Sequence, residues 1–411
     1  MRILQIGATF VGAQEKIEQS IHTELSSYGN ESYILYAFGN SNDTSIICYE
    51  NILEQLIRRI LNKALGRKCI NSKISTLKLL KYIKRIDPDL IHLHIIHNGY
   101  LDYVFLFKYL AKIGVPVVYT VHDMWAFTGG CYYYTSEHCD NWMSGCIDCK
   151  ASRNKTDNSP TKSHVFFQIK KKMFASLKYV HFVAVSNWVA DEMKKSFLGK
   201  YPISVIENGL NGDFESFNSN NAELAELVDR YICYEKRNIL SVAAAWDKRK
   251  GIYRIFEIAK QLGEGYNIIL VGSYTEELKQ SAPTNIKFVG YLKRKELLKC
   301  LYQKTDLYMS ASDEETFGMT FIEAAFAGTK SIGYASTAIG ETLGKVNGYI
   351  VDEVTPGAMV EKINEIFEHG NPKLSDKEIK NIIFAHSSQT MAKKYVELYR
   401  NILSIEGEAC E

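Results

Sequence analysis

Short apolar runs alternate with amphipathic stretches from one end of the chain to the other. That alternation is the signature of strand-helix-strand units, which build parallel sheets covered by helices on both faces. In the first half the pattern predicts strands at residues 3–6, 31–37, 90–95, 116–120, 181–185 and 204–206. In the second half it predicts strands at residues 239–244, 267–271, 286–289, 307–309, 331–334 and 348–351. Asn208, Gly209, Asn211 and Gly212 form a turn cluster between the halves, a plausible hinge. The expected division is therefore residues 1–208, residues 209–386 and a closing helix in 387–411, with a cysteine-rich insertion at 131–149. The closing helix carries an apolar stripe of Met391, Tyr395, Leu398, Tyr399 and Leu403.

A chain of 411 residues, 46% apolar and 12% aromatic, exceeds what one core usually supports and implies two domains of ordinary size. Lys and Arg total 49 against 47 for Asp and Glu, so the net charge of +2 argues neither for nor against an acidic partner. No apolar stretch reaches the roughly 18 residues that a spanning helix needs. The N-terminal residues run straight into a strand instead of forming a secretory signal, so a cytoplasmic protein is expected. In that compartment nine cysteines read as thiols or metal ligands before they read as a disulfide framework.

The most informative segment is Ser312 to Gly328, in which Glu315 and Glu323 stand eight positions apart around a strand-to-helix turn. An apolar strand precedes it, and Phe321 to Ala327 read as a helix stopped by Gly328, so Thr316, Phe317, Gly318 and Met319 lie at the helix start. Free backbone N–H groups and the positive end of the helix dipole suit an anion there. Carboxylates on either side can accept only, and so fit the hydroxyls of a sugar or ribose. The plain alternative is a loop charge and a solvated helix residue.

At these residues the chain resembles the retaining glycosyltransferases of family 4, whose Glu-x7-Glu pattern is matched by Glu315, Phe317, Gly318, Glu323, Ala324 and Gly328. The resemblance implies a GT-B fold, α/β with two Rossmann-like doubly wound parallel-sheet domains facing a central cleft. The first domain would bind the acceptor, the second would bind a nucleotide-sugar such as a UDP- or GDP-sugar, and the closing helix would cross back to the first domain. It further implies that Glu315 contacts the transferred sugar, that Glu323 holds the ribose hydroxyls, and that the backbone between them holds the diphosphate.

Other candidates fall just past strand ends, where open parallel sheets collect their ligands. His122 and Asp123 follow the strand at 116–120 and match the family's His-Asp, which implies that His122 bonds and orients the donor sugar. Gly7 and Gly12 follow the first strand and either let backbone approach a phosphate or sugar or form an ordinary turn. Lys248, Arg249 and Lys250 precede Gly251 at a helix start and can meet a diphosphate. Lys250 matches the family's phosphate lysine; the family's arginine about six residues earlier is replaced by Ala244, and Arg249 is the expected substitute. Gly272 and Gly290 end two further strands and resemble loops lining the base and phosphate pocket.

Retaining transfer passes through an oxocarbenium-like state and needs charge stabilised on the departing diphosphate, which Lys250, Arg249 and the helix start can supply. No catalytic metal is expected. Cys131, Cys139, Cys146 and Cys149 suit a closed structural zinc site, with two disulfides or four thiols as alternatives. This block resembles a subgroup acting in bacterial surface polysaccharide assembly. Between Ile57 and Arg85 stand ten basic residues and no acid, interleaved with apolar ones, and Lys162 to Lys172 add a second basic stretch with Phe166, Phe167 and Ile169. Such surfaces either lie on anionic lipid at the inner face of the plasma membrane or are solvated helix faces. Nucleic acid is not expected, since a recognition module is missing.

The expected activity is transfer from a nucleotide-sugar to a glycan or lipid-linked acceptor with retention, in capsular polysaccharide, exopolysaccharide or O-antigen synthesis. The alternatives are a non-catalytic nucleotide-sugar-binding partner subunit and a sugar-nucleotide epimerase on the same fold.

Overall fold

The computed structural model describes residues 1–9, 13–51, 54–56, 60, 72–97, 99–147, 149, 162–210, 214, 222–370 and 372–408. The chain forms two compact units, Met1–Gly209 together with Ser388–Glu411, and Leu210–Ser387.

The first unit is built on a parallel sheet of β1 (Arg2–Thr9), β2 (Glu31–Phe38), β3 (Ile46–Cys48), β4 (Leu90–Leu93), β5 (Val117–Val121), β6 (Val180–Ala184) and β7 (Ile203–Val205). Their spatial order is β3-β2-β1-β4-β5-β6-β7. The order reverses between β1 and β4, which opens a crevice beyond their carboxyl ends. β4 and β5 are buried throughout, which is why they read as mainly apolar runs, broken by His92 and Thr120. Twelve strands were expected and all twelve form. β3 was not anticipated, because three residues beside a polar loop carry too little pattern to stand out.

The closing helix Ser388–Glu408 belongs to the core of this unit. Met391, Ala392, Tyr395, Val396, Tyr399 and Ile402 are buried with Ile3, Ile17, Ile21, Leu25, Leu90 and Val118. Burying each large apolar side chain contributes about 1.5–3 kcal/mol before the entropy of ordering is counted. Its two tyrosine hydroxyls are satisfied inside: Tyr399 Oη lies 2.6 Å from His92 Nδ1, and Tyr395 Oη lies 3.0 Å from Thr120 Oγ1.

The second unit is a parallel sheet of β8 (Arg237–Ala245), β9 (Tyr266–Ser273), β10 (Ile286–Gly290), β11 (Leu307–Ser310), β12 (Ser331–Tyr334) and β13 (Tyr349–Val351), in the order β10-β9-β8-β11-β12-β13. The reversal here falls between β8 and β11. Its helices are capped by their own sequence: Thr355 accepts from Ala358 N–H ahead of Pro356, and Ser375 forms a reciprocal capping box with Glu378.

One expectation is revised. Gly7 does not sit in a loop: β1 continues to Thr9 and pairs Gly7 with Tyr36 of β2. Gly12 lies outside the described residues, as do Asn211 and Gly212 of the hinge and residues 57–59 and 61–71 of the first basic stretch. In the second basic stretch, Phe166 and Phe167 point into the core, and Lys170 is fully buried with its ammonium 4.1 Å above the Trp125 ring. Val165 is the large apolar side chain that this helix leaves exposed. In the described part of the first stretch, helix Lys73–Ile86 buries Leu79, Leu80 and Ile83 but turns Ile74 and Leu77 outward beside Lys73 and Lys81. No described helix is long and apolar enough to cross a membrane.

Candidate active site

In the second unit the loops after β8 and β11, on either side of the order reversal, are pressed together. Gly251 makes this approach feasible. Its φ of +73° is in the left-handed region, and a Cβ there would stand 1.9 Å from the carbonyl oxygen of Ala311. Asp313 N–H donates to Arg249 O at 2.9 Å, and an Arg249 guanidinium N–H donates to Glu314 O at 3.3 Å. Lys250 and Glu315 form an ion pair across the junction, with side chains 21% and 18% exposed. Beside it, Arg254 pairs with Asp313. Arg249 and Lys250 thus flank Glu315 from a loop 65 residues away.

Gly318 starts the helix Met319–Phe326 with a left-handed φ of +91°, and a Cβ there would meet the Phe321 ring at 2.6 Å. The turn through Thr316, Phe317 and Gly318 is pinned from below, where Thr342 Oγ1 donates to Phe317 O. A residue that the sequence reading missed pins it from the side. Thr337, just past β12, has φ +53°, a strained conformation for a β-branched side chain, and its hydroxyl accepts from Glu315 N–H at 3.1 Å. One turn into the helix, Glu323 is only 8% exposed. Burial pushes its carboxyl up from the usual range, opposed by Lys295 and Tyr302. Tyr302 Oη donates to it at 3.2 Å and Lys295 Nζ lies 3.6 Å away. Neither Glu is therefore an idle surface charge. Gly272 ends β9 close to Ala243 and Trp246, while Ala244 is exposed at the end of β8 and carries no cation.

In the first unit, His122 follows β5 directly and belongs to a polar network that the sequence reading had not joined up. Its Nε2 lies 3.1 Å from His94 Nδ1, the two rings stacked, and His94 Nε2 lies 3.3 Å from Gln5 Oε1. Burial holds His122 down at about 4, with Asp123 pulling the other way, and it holds His92 and His94 well below the ordinary histidine range. All three are neutral near pH 7 and can each donate and accept once. Asp123 does two jobs next door: one oxygen accepts from Trp125 N–H at 2.9 Å, and the other lies 3.0 Å from His97 Nε2. A signal was available in His92, His94 and His97, three histidines within one apolar strand end.

Cys131, Cys139, Cys146 and Cys149 all lie among the described residues. Among the described residues, no group of three or more His, Cys, Asp or Glu side chains could hold a metal ion. Cys146 is buried, its sulfur accepts from Gly129 N–H at 3.0 Å, and burial raises its thiol to about 11, so it stays protonated. Cys139 and Cys146 are free thiols.

Two family descriptions match adjoining parts of the chain: glycosyl transferases group 1 over residues 204–383, and glycosyltransferase family 4 over residues 49–214. The chain is 23% identical to a protein of Escherichia coli (strain K12) named for colanic acid biosynthesis as glycosyl transferase WcaC, across 98% of this chain and 100% of that one. Among solved structures, sucrose-phosphate synthase of Thermosynechococcus elongatus superposes with a TM-score of 0.70 at 15% identity, covering 98% of this chain and 100% of that one. Anabaena HepE in complex with UDP-glucose superposes with a TM-score of 0.65 at 14% identity, again over 98% and 100%. A glycosyltransferase of Rickettsia africae gives a TM-score of 0.64 at 19% identity, with 98% of each chain covered. Such identities carry the fold, and the two matched descriptions carry the activity: the chain belongs to the family 4 glycosyltransferases, with the GT-B fold.

Proposed function

We propose that this protein moves a sugar from a UDP- or GDP-sugar to a glycan or lipid-linked saccharide, with retention of anomeric configuration, in the synthesis of a bacterial surface polysaccharide. One observation carries the reading: loops from either side of the β8/β11 reversal bring Lys250 and Glu315 together, next to the start of the helix Met319–Phe326. The likeness to HepE, crystallised with UDP-glucose, supports a uridine donor. The likeness to a protein named for colanic acid biosynthesis supports a role in polysaccharide synthesis.

The roles follow from chemistry. Lys250 and Arg249 neutralise the diphosphate as it departs, and the backbone N–H groups at Phe317 to Met319 take its oxygens. Glu315 steers the transferred sugar, and Glu323 accepts from ribose hydroxyls. His122, neutral at pH 7, bonds a sugar hydroxyl. The reaction as drawn uses no divalent cation. The exposed Ile74 and Leu77 beside Lys73 and Lys81 give the first unit a surface for anionic lipid, where a lipid-linked acceptor would be met.

The test is transfer and donor hydrolysis across a panel of UDP- and GDP-sugars, with the anomeric configuration of the product read by NMR. Wild type is expected to turn over at least one donor with retention, and Glu315→Ala to lose that activity. Inactivity on every donor would favour a non-catalytic partner subunit. Conversion of the free donor without acceptor would favour an epimerase, and an inverted product would refute retention. Flotation with liposomes containing or lacking anionic lipid checks the surface assignment, which fails if the two behave alike.

A further inference from the structure

The polar network of the first unit admits a single arrangement of protons. Gln5 donates its amide Nε2 to the carbonyl oxygen of Glu18 at 3.0 Å, an atom that can only accept. The amide oxygen of Gln5 therefore faces His94 Nε2, at 3.3 Å, and can only accept in turn. His94 must carry its proton on Nε2. It is completely buried, where a second proton would leave an imidazolium without a counter-ion, so its Nδ1 keeps a lone pair. That lone pair faces His122 Nε2 at 3.1 Å, and the only favourable partner for it is an N–H.

We infer that Gln5 and His94 are positioning residues that lock His122 as the Nε2–H tautomer, so that its Nδ1 is presented as a hydrogen-bond acceptor. A ligand group that meets His122 must then donate. A sugar hydroxyl satisfies it, and a carboxylate at the same place is repelled by the lone pair, so the arrangement selects a neutral sugar over a uronic acid. The selectivity rests on the reading of His122 as a sugar contact; the tautomer does not.

The measurement is a long-range proton–nitrogen NMR correlation on the full-length, 15N-histidine-labelled protein near pH 7 without substrate, with His122→Gln identifying the His122 signals. Wild type is expected to show His122 Nδ1 unprotonated and Nε2 protonated. His94→Phe removes the acceptor and is expected to give a mixture of both tautomers. His94→Asn can place its Oδ1 where Nδ1 stood, and is expected to restore the wild-type pattern. A protonated Nδ1 in wild type, or an unchanged His122 spectrum in His94→Phe, overturns the assignment. The wild-type spectrum suffices if a variant fails to fold. Because it is read without substrate, it stands or falls apart from the proposed activity, which His122→Ala tests by donor hydrolysis.

Discussion

Replacing Glu315 by Gln should tighten the binding of the diphosphate product while it abolishes transfer. Lys250 is engaged by Glu315, and both side chains are about four-fifths shielded from water, at 21% and 18% exposure. Unit charges in contact at an effective dielectric near 20 attract by about 4 kcal/mol, most of which is returned as hydration when the pair opens. A pyrophosphate must draw the lysine away and then sit beside the carboxylate it displaced. Glu315→Gln removes both penalties and keeps the size of the side chain. The loop is retained as well, because Thr337 holds the backbone N–H of residue 315, an atom the substitution does not touch. A net gain of about 1–2 kcal/mol corresponds to a Kd for UDP lower by about 5- to 30-fold. Transfer should fall by about a hundredfold or more, the usual cost of removing a preorganised electrostatic group. Titration calorimetry with UDP and with GDP, set beside turnover of the active donor, reads both effects. Weaker nucleotide binding in Glu315→Gln would refute the exchange of partners at Lys250.

Lys250→Met should do the reverse, weakening UDP binding by about tenfold or more, with the loss shrinking at high salt; calorimetry at two ionic strengths checks it. Gly251→Ala should destabilise the second unit by roughly 3 kcal/mol or more, since it combines a left-handed backbone with a Cβ 1.9 Å from Ala311 O; urea unfolding measures this, and a change under 1 kcal/mol would speak against the tight loop junction. Stability should also respond to pH through His122, which faces His94, Asp123 and His97. Its folded value of about 4 lies below the ordinary 6.5, so the unfolded chain binds the extra proton first, and stability is lost as pH falls through that window and levels off below it. The ceiling is on the order of 3 kcal/mol. His122→Gln should flatten that part of the curve in urea melts between pH 4 and 7, and identical slopes in the two proteins would contradict the assignment.

What could be read in advance depended on how locally each feature is encoded. Strands buried on both faces announce themselves as apolar runs, and Glu315, Gly318 and Glu323 lie within one short segment whose spacing is itself the signal. Thr337 could not be found that way, because its role depends on a left-handed backbone that a threonine does not advertise. Nor could Gln5, whose partner His94 is 89 positions distant and becomes a neighbour only when β1 and β4 pair. Lys170 was misread for the opposite reason. Its neighbours make a basic run, yet the helix turns this one lysine inward over Trp125, which a count of charges does not register.

The two units share a strand order and use its reversal differently. Around β8 and β11 acids and cations are matched: Lys250 with Glu315, Arg254 with Asp313, Lys295 with Glu323. On the proposed reading a ligand phosphate would exchange partners there with groups already charged and partly desolvated, and so would avoid the full cost of burying a fresh cation. Past β4 and β5 the side chains are also buried and polar, but the three histidines His92, His94 and His122 are held neutral, and the hydrogen bonds from Gln5 through His94 to His122 run in a chain that ends at one ring nitrogen. Such a chain offers direction without charge. The first arrangement suits a leaving diphosphate, whose charge must be met as it develops. The second suits a carbohydrate, recognised by which of its groups donate and which accept.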